Sequence, residues 1–427
     1  MAELGSDGQR LGRLLAHPGF ARFLTARLAV SIAVQMQTVA VGWQIYAITR
    51  DPLDLGLIGL SQFLPFVLLV LPAGQVADRR NRARILTGCY SLEFLCALLL
   101  LAFTLSGLTV VWPVFAVMVL FGIARAFSMP AGQALLPNLV PLEHFSRAVA
   151  VNSSTWQVST IAGPAIGGLV YLLGPDYVYG SVAALLSFAV VMMSGVRVAP
   201  PAPHTEPDSW HSLLEGLRFV WQRKIILGAV SLDLFAVLFG GATALLPAYA
   251  SDILKVGPDG LGILRAAPGV GAALIAIAFA WRPFTRRVGS LMFGGVALFG
   301  LATVIFGMSE SFVVSLVALI VLGGADMVSV YIRHLLVQLE TPDAIRGRVS
   351  AVNAVFIGAS NELGEFESGL TAAWWGLKPA VVVGGLASLA IAGLWMRWFP
   401  GLRDMDGFPA SGTRQVTVAG GSPPPAS

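Results

Sequence analysis

The sequence predicts an all-α membrane protein with twelve transmembrane helices, arranged as two pseudo-symmetric six-helix bundles around a central cavity. The first observation is composition: the 427 residues are 56% hydrophobic and only 12% charged, whereas about 25% of the residues in a soluble domain are charged. Secondly, apolar stretches long enough to cross a bilayer recur along the chain. Thirdly, part of the first half of the chain is repeated in the second half. The composition excludes a soluble enzyme and a disordered protein.

Each predicted span is a stretch of mostly apolar residues, because a helix needs about 20 such residues to cross the hydrocarbon core. The twelve stretches have the approximate limits 22–49, 54–76, 84–106, 109–131, 145–173, 177–197, 225–250, 260–281, 289–308, 312–333, 347–373 and 377–398. Two cysteines, Cys89 and Cys96, lie seven residues apart in the third span. This spacing favours two small side chains on one helix face over a metal site or a disulfide framework.

The basic residues predict the orientation of the chain in the membrane. Of the 27 lysines and arginines, 21 fall on one side of the predicted spans and three on the other. The positive-inside rule therefore predicts that both termini lie in the cytoplasm, which agrees with an even number of spans. The sequence pI of about 9.3 is then a consequence of topology rather than of nucleic-acid binding. The abundance of Arg, Gly and Pro favours a bacterial protein, which we expect to be multi-pass in the inner (cytoplasmic) membrane.

The chain divides at one long cytoplasmic connection. We expect a cytoplasmic segment at 1–19, a first six-helix bundle at 20–197, a linker at 198–224, a second bundle at 225–399 and a disordered cytoplasmic tail at 400–427. The linker begins with a Pro-rich stretch, and Asp208 or Ser209 is suited to cap a helix after it. Apolar residues then recur at helical spacing, which predicts an amphipathic helix on the membrane surface: Trp210, Leu213, Leu214, Leu217 and Trp221.

An internal repeat appears when the chain is shifted along itself by 201 residues. The segment RAVAVN at 147–152 then lies over RVSAVN at 348–353, Pro141 over Pro342 and Gly122 over Gly323. Spans 4 and 5 therefore recur as spans 10 and 11 in the same orientation. Parallel repeats of this kind are typical of transporters whose two halves rock around a site near the midplane of the membrane.

The repeat aligns two opposite charges at the same depth, Arg125 in span 4 and Asp326 in span 10. A charge at the bilayer centre costs at least about 2.5–3.5 kcal/mol, so each of them should face a partner or a wet cavity. One hypothesis is that they face each other across the central cavity, and the alternative is that each pairs within its own half. Arg333, seven residues after Asp326 on the same face, is expected to extend its charge to the cytoplasmic interface.

The loop between spans 2 and 3 carries a recognisable motif, GQVADRRNRAR, at 74–84. It resembles the signature loop of the major facilitator superfamily, as do the twelve spans, the long central loop and the repeat. The family usually has Gly where this chain has Asn81, a residue that also tolerates the left-handed conformation of a tight turn, and its paired basic end is Ala83-Arg84 here. The resemblance implies a conformational latch, with Asp78 near the start of span 11, formed by Gly74, Asp78, Arg79, Arg82 and Arg84.

Span 5 carries a second motif, GPAIGG, at 163–168. Its small residues, Gly163, Gly167 and Gly168, allow close helix packing, and Pro164 bends the span. The motif is similar to the one that antiporters of the superfamily carry in span 5, which favours export over plain helix packing. The stretches 131–141 and 338–349 resemble, more narrowly, the exporter subgroup that includes the enterobactin exporters and macrolide-efflux proteins.

Acidic residues inside the spans are candidates for proton coupling. Carboxyl groups that lie near each other in a low dielectric bind a proton near neutral pH, as proton-driven transporters require. Glu362 and Glu365 are three residues apart on one helix face and are the leading candidates, while Glu367 points elsewhere. The other candidates are Asp233, Asp326 and Glu93. Alternatively, each carboxyl is neutralised in packing or lies near the outer water boundary.

Span 1 offers candidates for substrate contact. It combines amides with aromatic side chains, which suits an amphipathic organic compound, and first spans line the cavity in the superfamily that it resembles. These residues are Gln35, Gln37, Trp43, Gln44 and Tyr46.

Taken together, these patterns predict a secondary active transporter without a cofactor or a metal, which exports a small drug-like or siderophore-like compound by alternating access with proton antiport. An uptake permease on the same fold is the alternative, and a membrane-embedded enzyme is a remote one. The five histidines do not cluster, and the chain lacks a phosphate-binding loop with its lysine, so neither an enzyme nor a primary pump is favoured. The expected partners are the substrate, protons and the lipid bilayer, with the protein as a monomer.

Overall fold

The computed structural model describes residues 17–198, 209–282, 284, 286–342 and 345–408. Twelve long helices, numbered here as the predicted spans, follow one another along the chain. They are α1 Pro18–Thr49, α2 Pro52–Arg79, α3 Arg82–Leu105, α4 Trp112–Leu135, α5 Leu142–Tyr171, α6 Pro175–Ser194, α7 Lys224–Phe239, α8 Pro258–Trp281, α9 Val288–Met308, α10 Phe312–Glu340, α11 Arg346–Trp375 and α12 Leu377–Trp398. The predicted all-α membrane fold is thus confirmed.

Local sequence explains where several of these helices begin. Proline occupies the first turn of α1, α2, α4, α6 and α8, where its missing N–H leaves no helical hydrogen bond unmade. Asp51 caps α2 by accepting a hydrogen bond from the Leu53 N–H at 2.9 Å. Asn81 caps α3 by accepting one from the Arg84 N–H at 3.2 Å. Asn81 has φ −65° and ψ 112°, so it does not use the left-handed conformation that an asparagine tolerates and serves as a helix cap.

Two ends of the bundle can be distinguished by their contacts. At the terminus face, near the start of α1, the Arg22 Nη1 donates to the Gly195 carbonyl at 2.7 Å, and the Asn81 side chain donates to the Val198 carbonyl at 3.2 Å. The other end, called the opposite face, carries Arg50 after α1. The helices run alternately between these two faces.

Helix α7 is the one span whose continuity differs from the prediction. The α-helix ends at Phe239, before Gly240 and Gly241, and continues as a 3-10 turn at Ala242–Leu245, a short helix at Leu246–Ala248 and a π turn at Tyr249–Ile253. Irregular backbone inside a membrane is tolerated where it is buried in protein or lines a cavity. Both conditions hold in this segment, which is largely buried and lines a cavity through Ala244 and Pro247.

The packing of the first six helices recurs in the last six, with each helix number raised by six. The pairs α1–α5, α1–α6, α2–α4, α3–α4 and α3–α6 recur as α7–α11, α7–α12, α8–α10, α9–α10 and α9–α12. Single contacts repeat too: Gly122 of α4 packs closely on Pro65 of α2, and its equivalent Gly323 of α10 packs closely on Pro268 of α8. The halves α1–α6 and α7–α12 meet mainly along α2–α11 and α5–α8, which are again equivalent pairs.

Hydropathy singles out the same equivalence. Within the described residues, ten helices are long and apolar enough to cross a membrane by length and composition. The remaining long helices are α5 and α11, which are 30 residues each but more polar. Polar residues in a membrane bundle face its interior. Accordingly, both of these more polar helices lie at the contact between the halves, α5 against α8 and α11 against α2.

The linker contains a helix, Ser209–Gln222, called here the connecting helix. Its Leu217 and Val220 pack in one cluster with Val337 of α10 and Val349 of α11. This side of the connecting helix therefore rests on the second half of the protein, whereas the prediction placed its apolar side on the membrane surface. Trp221 is exposed. The start of the expected disordered tail at 400–427 is structured, since Pro400–Arg403 forms a helical turn with Leu402 buried, and the Met405 carbonyl accepts a hydrogen bond from the Gly289 N–H at 2.9 Å. The tail beyond residue 408, the residues before 17 and the Pro-rich stretch lie outside the described residues.

Candidate functional site

An ion pair joins the two halves in the middle of the bundle. Arg125 of α4 donates through Nη1 to Glu362 Oε1 of α11 at 2.6 Å. The side chain of Arg125 is 46% exposed and that of Glu362 is 12% exposed, so the pair borders on open space. The guanidinium also lies 5.7 Å from the ring centre of Phe66 on α2, within the range of a cation–π contact.

The structure corrects both hypotheses for Arg125, since its partner is neither Asp326 nor an acid of its own half but Glu362 of the second half. Glycines of α2 bring α11 close: the backbone of Gly56 packs on that of Phe366, and Gly59 packs on Glu365. Since α4 packs on the same helix α2, the acidic face of α11 reaches Arg125 directly. Asp326 is half-buried on α10, away from this pair.

A second acid and a second arginine complete the central cluster. The Glu365 side chain lies against Gly59, where an added Cβ would come within 2.8 Å of Glu365 Oε2. Arg265 of α8 interacts electrostatically with Glu365 and Glu362. The cluster thus contains two acids from α11 and one arginine from each half. Because residue 59 is a glycine, no side chain there displaces Glu365.

A cavity beside this cluster is lined by both halves. Its polar lining consists of Gln37, Thr38 and Gln62 from the first half and Arg265 and Glu365 from the second. Gln37 is buried, and its Oε1 has no hydrogen-bond partner within the described structure. An amide, an acid and a guanidinium around one cavity suit a small compound with polar groups.

The other candidates from span 1 have different surroundings. The Gln35 side chain packs against Gly163 of α5, and Trp43 packs against the apolar cluster of the second half. Gln44 donates to Thr104 at 3.0 Å and accepts from the Tyr179 hydroxyl at 2.7 Å, which ties α1 to α3 and α6. Of the predicted residues of span 1, Gln37 is the one that lines the cavity.

A different ion pair lies wholly inside the second half. Asp233 of α7 binds Arg333 of α10, and their side chains are only 5% and 2% exposed. The prediction that Arg333 extends its charge to the interface is therefore wrong, because a buried carboxylate on the neighbouring helix offers a closer partner. Sequence reasoning listed both residues but did not pair them, since they do not occupy equivalent positions of the repeat.

The opposite face is closed by polar contacts that sequence reasoning missed. Asp252, in the π turn after α7, accepts hydrogen bonds from the Tyr46 hydroxyl at 2.5 Å and from Arg50 Nη1 at 3.0 Å. Arg50 Nη1 also donates to the Ser251 hydroxyl at 2.7 Å. These contacts join the end of α1 to the end of α7, the equivalent helix in the other half. One available signal was Arg50, one of only three basic residues on its side of the predicted spans.

The glycines of span 5 act at the same face. Gly163 and Gly167 pack against Gln35 and Met36 of α1, while Gly168 packs against Gly262 of α8, with the two backbones nearly touching. The motif therefore holds α5 against one helix of each half. Close packing, which was the alternative to an export signal, is the role that its contacts support, and Pro164 adds its carbonyl to the contact with Gly262.

The loop after α2 is organised within the first half. Arg82 Nη1 donates to the Ala134 carbonyl at 2.9 Å, and its Nη2 lies 3.9 Å from Asp78 Oδ1. Gly74 has open space around it, and Arg84 contributes its N–H to the cap of α3. Arg79 is the last residue of α2. The predicted latch between this loop and span 11 stays a prediction.

Comparison with known proteins assigns the family. Residues 14–412 match a family of the major facilitator type described as transmembrane secretion effector. The chain belongs to this family. It is 28% identical over 355 residues to the enterobactin exporter EntS of Escherichia coli, and equally to that of Escherichia fergusonii, covering 80% of this chain and 82% of each relative. The predicted resemblance is confirmed, and the chain is a membrane transporter of the efflux type, not an enzyme.

Solved structures support the same fold. A bacterial homologue of the human lysosomal transporter Spinster, in an inward-facing and occupied conformation, aligns with a TM-score of 0.71 at 13% identity, over 90% of this chain and 97% of that one. A POT family transporter in complex with 5-aminolevulinic acid aligns with a TM-score of 0.72 at 11% identity, over 90% and 96% of the two chains. At such low identity the likeness concerns the fold alone.

Proposed function

We propose that this protein exports a small organic compound from a bacterial cell by alternating access and that proton antiport drives the export. The observation that carries the proposal is the ion pair between Arg125 and Glu362, which joins the two halves beside a cavity that both halves line. A charge pair inside a membrane protein that borders open space, rather than being sealed in packing, is suited to loading and releasing protons.

Alternating access requires contacts that form at one face and open at the other. The hydrogen bonds that join described residues of the two halves lie at the opposite face, through Asp252, and in the middle, where the Gln157 amide donates to the Gly269 carbonyl at 2.8 Å and Arg125 donates to Glu362. This distribution supports a state that is closed at the opposite face. With both termini in the cytoplasm, as the charge bias predicts, that state receives its cargo from the cytoplasmic side.

Coupling of export to proton movement follows because protons and the arginines compete for Glu362 and Glu365. When Glu362 binds a proton, it loses the charge that holds Arg125, and the bond between the halves weakens. When it releases the proton, the bond forms again. Asp233 is less suited to this cycle because its bond to Arg333 is buried within one half. Asp326 remains a second candidate, since it is half-buried in α10.

In this state the cavity measures only about 40 Å³, so the halves would have to part to admit a cargo. The proposed cargo is an amphipathic, siderophore-like or drug-like compound, in line with the exporter relatives. Its polar groups would meet Gln37 and Arg265, and its body would meet the apolar lining, which includes Met118 and Phe121. The protein would work as a monomer in the inner membrane, with the Gly74–Arg84 loop latching the cytoplasmic side when that side closes.

The test uses purified full-length protein in liposomes with an imposed pH gradient. The panel contains a catecholate siderophore, a macrolide and a hydrophobic cation, and a trapped pH-sensitive dye reports proton flow. We expect at least one compound to move against the direction of protons, and Glu362→Gln to abolish the proton flow that the compound induces. Empty liposomes and the Glu367→Gln variant, which alters an acid outside the cluster, are the controls.

Two results would contradict the proposal. Movement of the compound in the same direction as protons would make the protein an uptake permease. Transport that is indifferent to the pH gradient, in wild type and in Glu362→Gln alike, would remove proton coupling altogether.

A further inference from the structure

The coupling scheme leaves one buried acid unused, Glu93 in the middle of α3. It is 3% exposed, and its Oε2 has no hydrogen-bond partner in the part of the chain that the structure describes. Its electrostatic neighbours there are Cys89, Tyr90 and Cys96 on the same helix and Arg125 on α4. An unpaired carboxylate is very costly to bury, so this group is expected to be neutral and to carry a proton.

Arg125 therefore has acids of both halves around it, Glu362 and Glu365 on α11 and Glu93 on α3. Glu362 belongs to the second half, and its bond to Arg125 crosses between bodies that move relative to each other during transport. Glu93 belongs to the same half as Arg125, and α3 and α4 pack along each other. Relative movement of the halves changes the first distance but hardly changes the second. The guanidinium carries five N–H donors, so it can turn from one acid to the other.

We propose that Glu93 is the second partner of Arg125 and positions its guanidinium whenever the bond to Glu362 is open. A proton that binds Glu362 neutralises it and releases Arg125. Arg125 then pairs with Glu93, whose proton leaves to the water that reaches the exposed side of the guanidinium. One proton is gained by the second half and one is lost by the first, while the arginine stays charged and paired throughout. This inference rests on the proposed proton coupling.

Infrared difference spectroscopy of the full-length protein in lipid bilayers tests the exchange without any substrate. The C=O stretch of a protonated carboxyl group is read at neutral pH. In wild type, we expect a Glu93 band, identified because Glu93→Gln removes it and Glu93→Asp retains it with a small shift. In Glu362→Gln, Arg125 loses its hydrogen-bonded acid on α11, and the acid that remains there, Glu365, also interacts with Arg265. Arg125 should therefore pair with Glu93, and the band should disappear.

Two further variants keep the test decisive. In the double variant Arg125→Gln with Glu362→Gln, no arginine is present to ionise Glu93, so the band should return. This comparison remains informative even if the Glu93→Gln variant does not fold. Glu367→Gln alters an acid outside the cluster and should leave the Glu93 band in place. A Glu93 band that is absent from wild type, or one that persists in Glu362→Gln, would overturn the proposal.

The outcomes also separate this inference from the proposed function. If liposomes show proton-driven export but the band persists in Glu362→Gln, only the role of Glu93 is wrong. If the band disappears as expected but no compound moves with a pH gradient, the exchange between the two acids stands and proton-coupled export is wrong.

Discussion

Two ion pairs inside this protein use the same chemistry in different surroundings. The pair of Asp233 and Arg333 lies within one half, with side chains 5% and 2% exposed, whereas Arg125 in the pair with Glu362 is 46% exposed and its partner lies in the other half. When a buried pair is broken, the remaining charge is not solvated by water, whereas water can solvate the charges of a pair that borders on open space. We therefore propose that the pair of Asp233 and Arg333 stabilises the second half and that the pair of Arg125 and Glu362 opens during transport.

Removing one member of the sealed pair is expected to give the largest effect on stability. Asp233→Asn leaves the Arg333 guanidinium buried without its counter-charge, which should destabilise the protein by about 3–5 kcal/mol. The measurement is the thermal unfolding midpoint of purified protein, together with its yield from membranes.

The matched control removes both charges. The double variant Asp233→Asn with Arg333→Gln should recover most of the lost stability, because no uncompensated charge then remains. If the single variant were as stable as wild type while transport stopped, Asp233 would belong to the coupling cycle, and the contrast between the two pairs would be lost.

Neutralising the open pair should do the reverse. Glu362→Gln is expected to destabilise the protein less than Asp233→Asn does, because the Arg125 side chain that loses its partner is 46% exposed beside open space. It should also reduce substrate-linked proton flow in liposomes at least tenfold. The readouts are the same unfolding midpoint and the pH-sensitive dye. A large loss of stability with coupling intact would mean that this pair, too, is structural.

The sequence predicted the fold well but the pairing of charges less well. Hydropathy, the charge bias and the 201-residue repeat predicted twelve helices in two equivalent sets, and these are properties of single helices or of symmetry. Whether Arg125 meets Asp326 or Glu362 depends on which helices lie side by side. Gly56 and Gly59 bring α11 against α2, but glycines in a span do not by themselves indicate which helix packs on them. The break in α7 was signalled by Gly240, Gly241 and Pro247 but was hidden by continuous hydropathy.

Disturbing the glycine contacts at the opposite face is expected to have an intermediate effect, on the closure of that face. A Cβ at Gly262 would lie 3.1 Å from the Gly168 Cα and even closer to the Pro164 carbonyl, so Gly262→Ala should keep α5 and α8 apart there. We expect a longer distance between spin labels at Asp54 and Asp259 across this face, and transport slowed severalfold. Gly294→Ala is the control, because that position has open space around it. Unchanged distances would show that these helices do not limit closure.

The smallest effect is expected from the hydroxyl that helps to close the opposite face. Tyr46→Phe removes the 2.5 Å hydrogen bond to Asp252 but leaves the contact of Asp252 with Arg50 at 3.0 Å. A single hydrogen bond contributes about 1 kcal/mol, so the ratio of closed to open molecules should fall about fivefold. The same spin-label pair reports this ratio. The control is Tyr177→Phe, which alters an exposed tyrosine. Because Arg50 keeps Asp252 paired, the fold and the central ion pair should be unaffected. If Tyr46→Phe shifted the distances no more than Tyr177→Phe does, closure would depend on Arg50 and the glycines rather than on this hydroxyl.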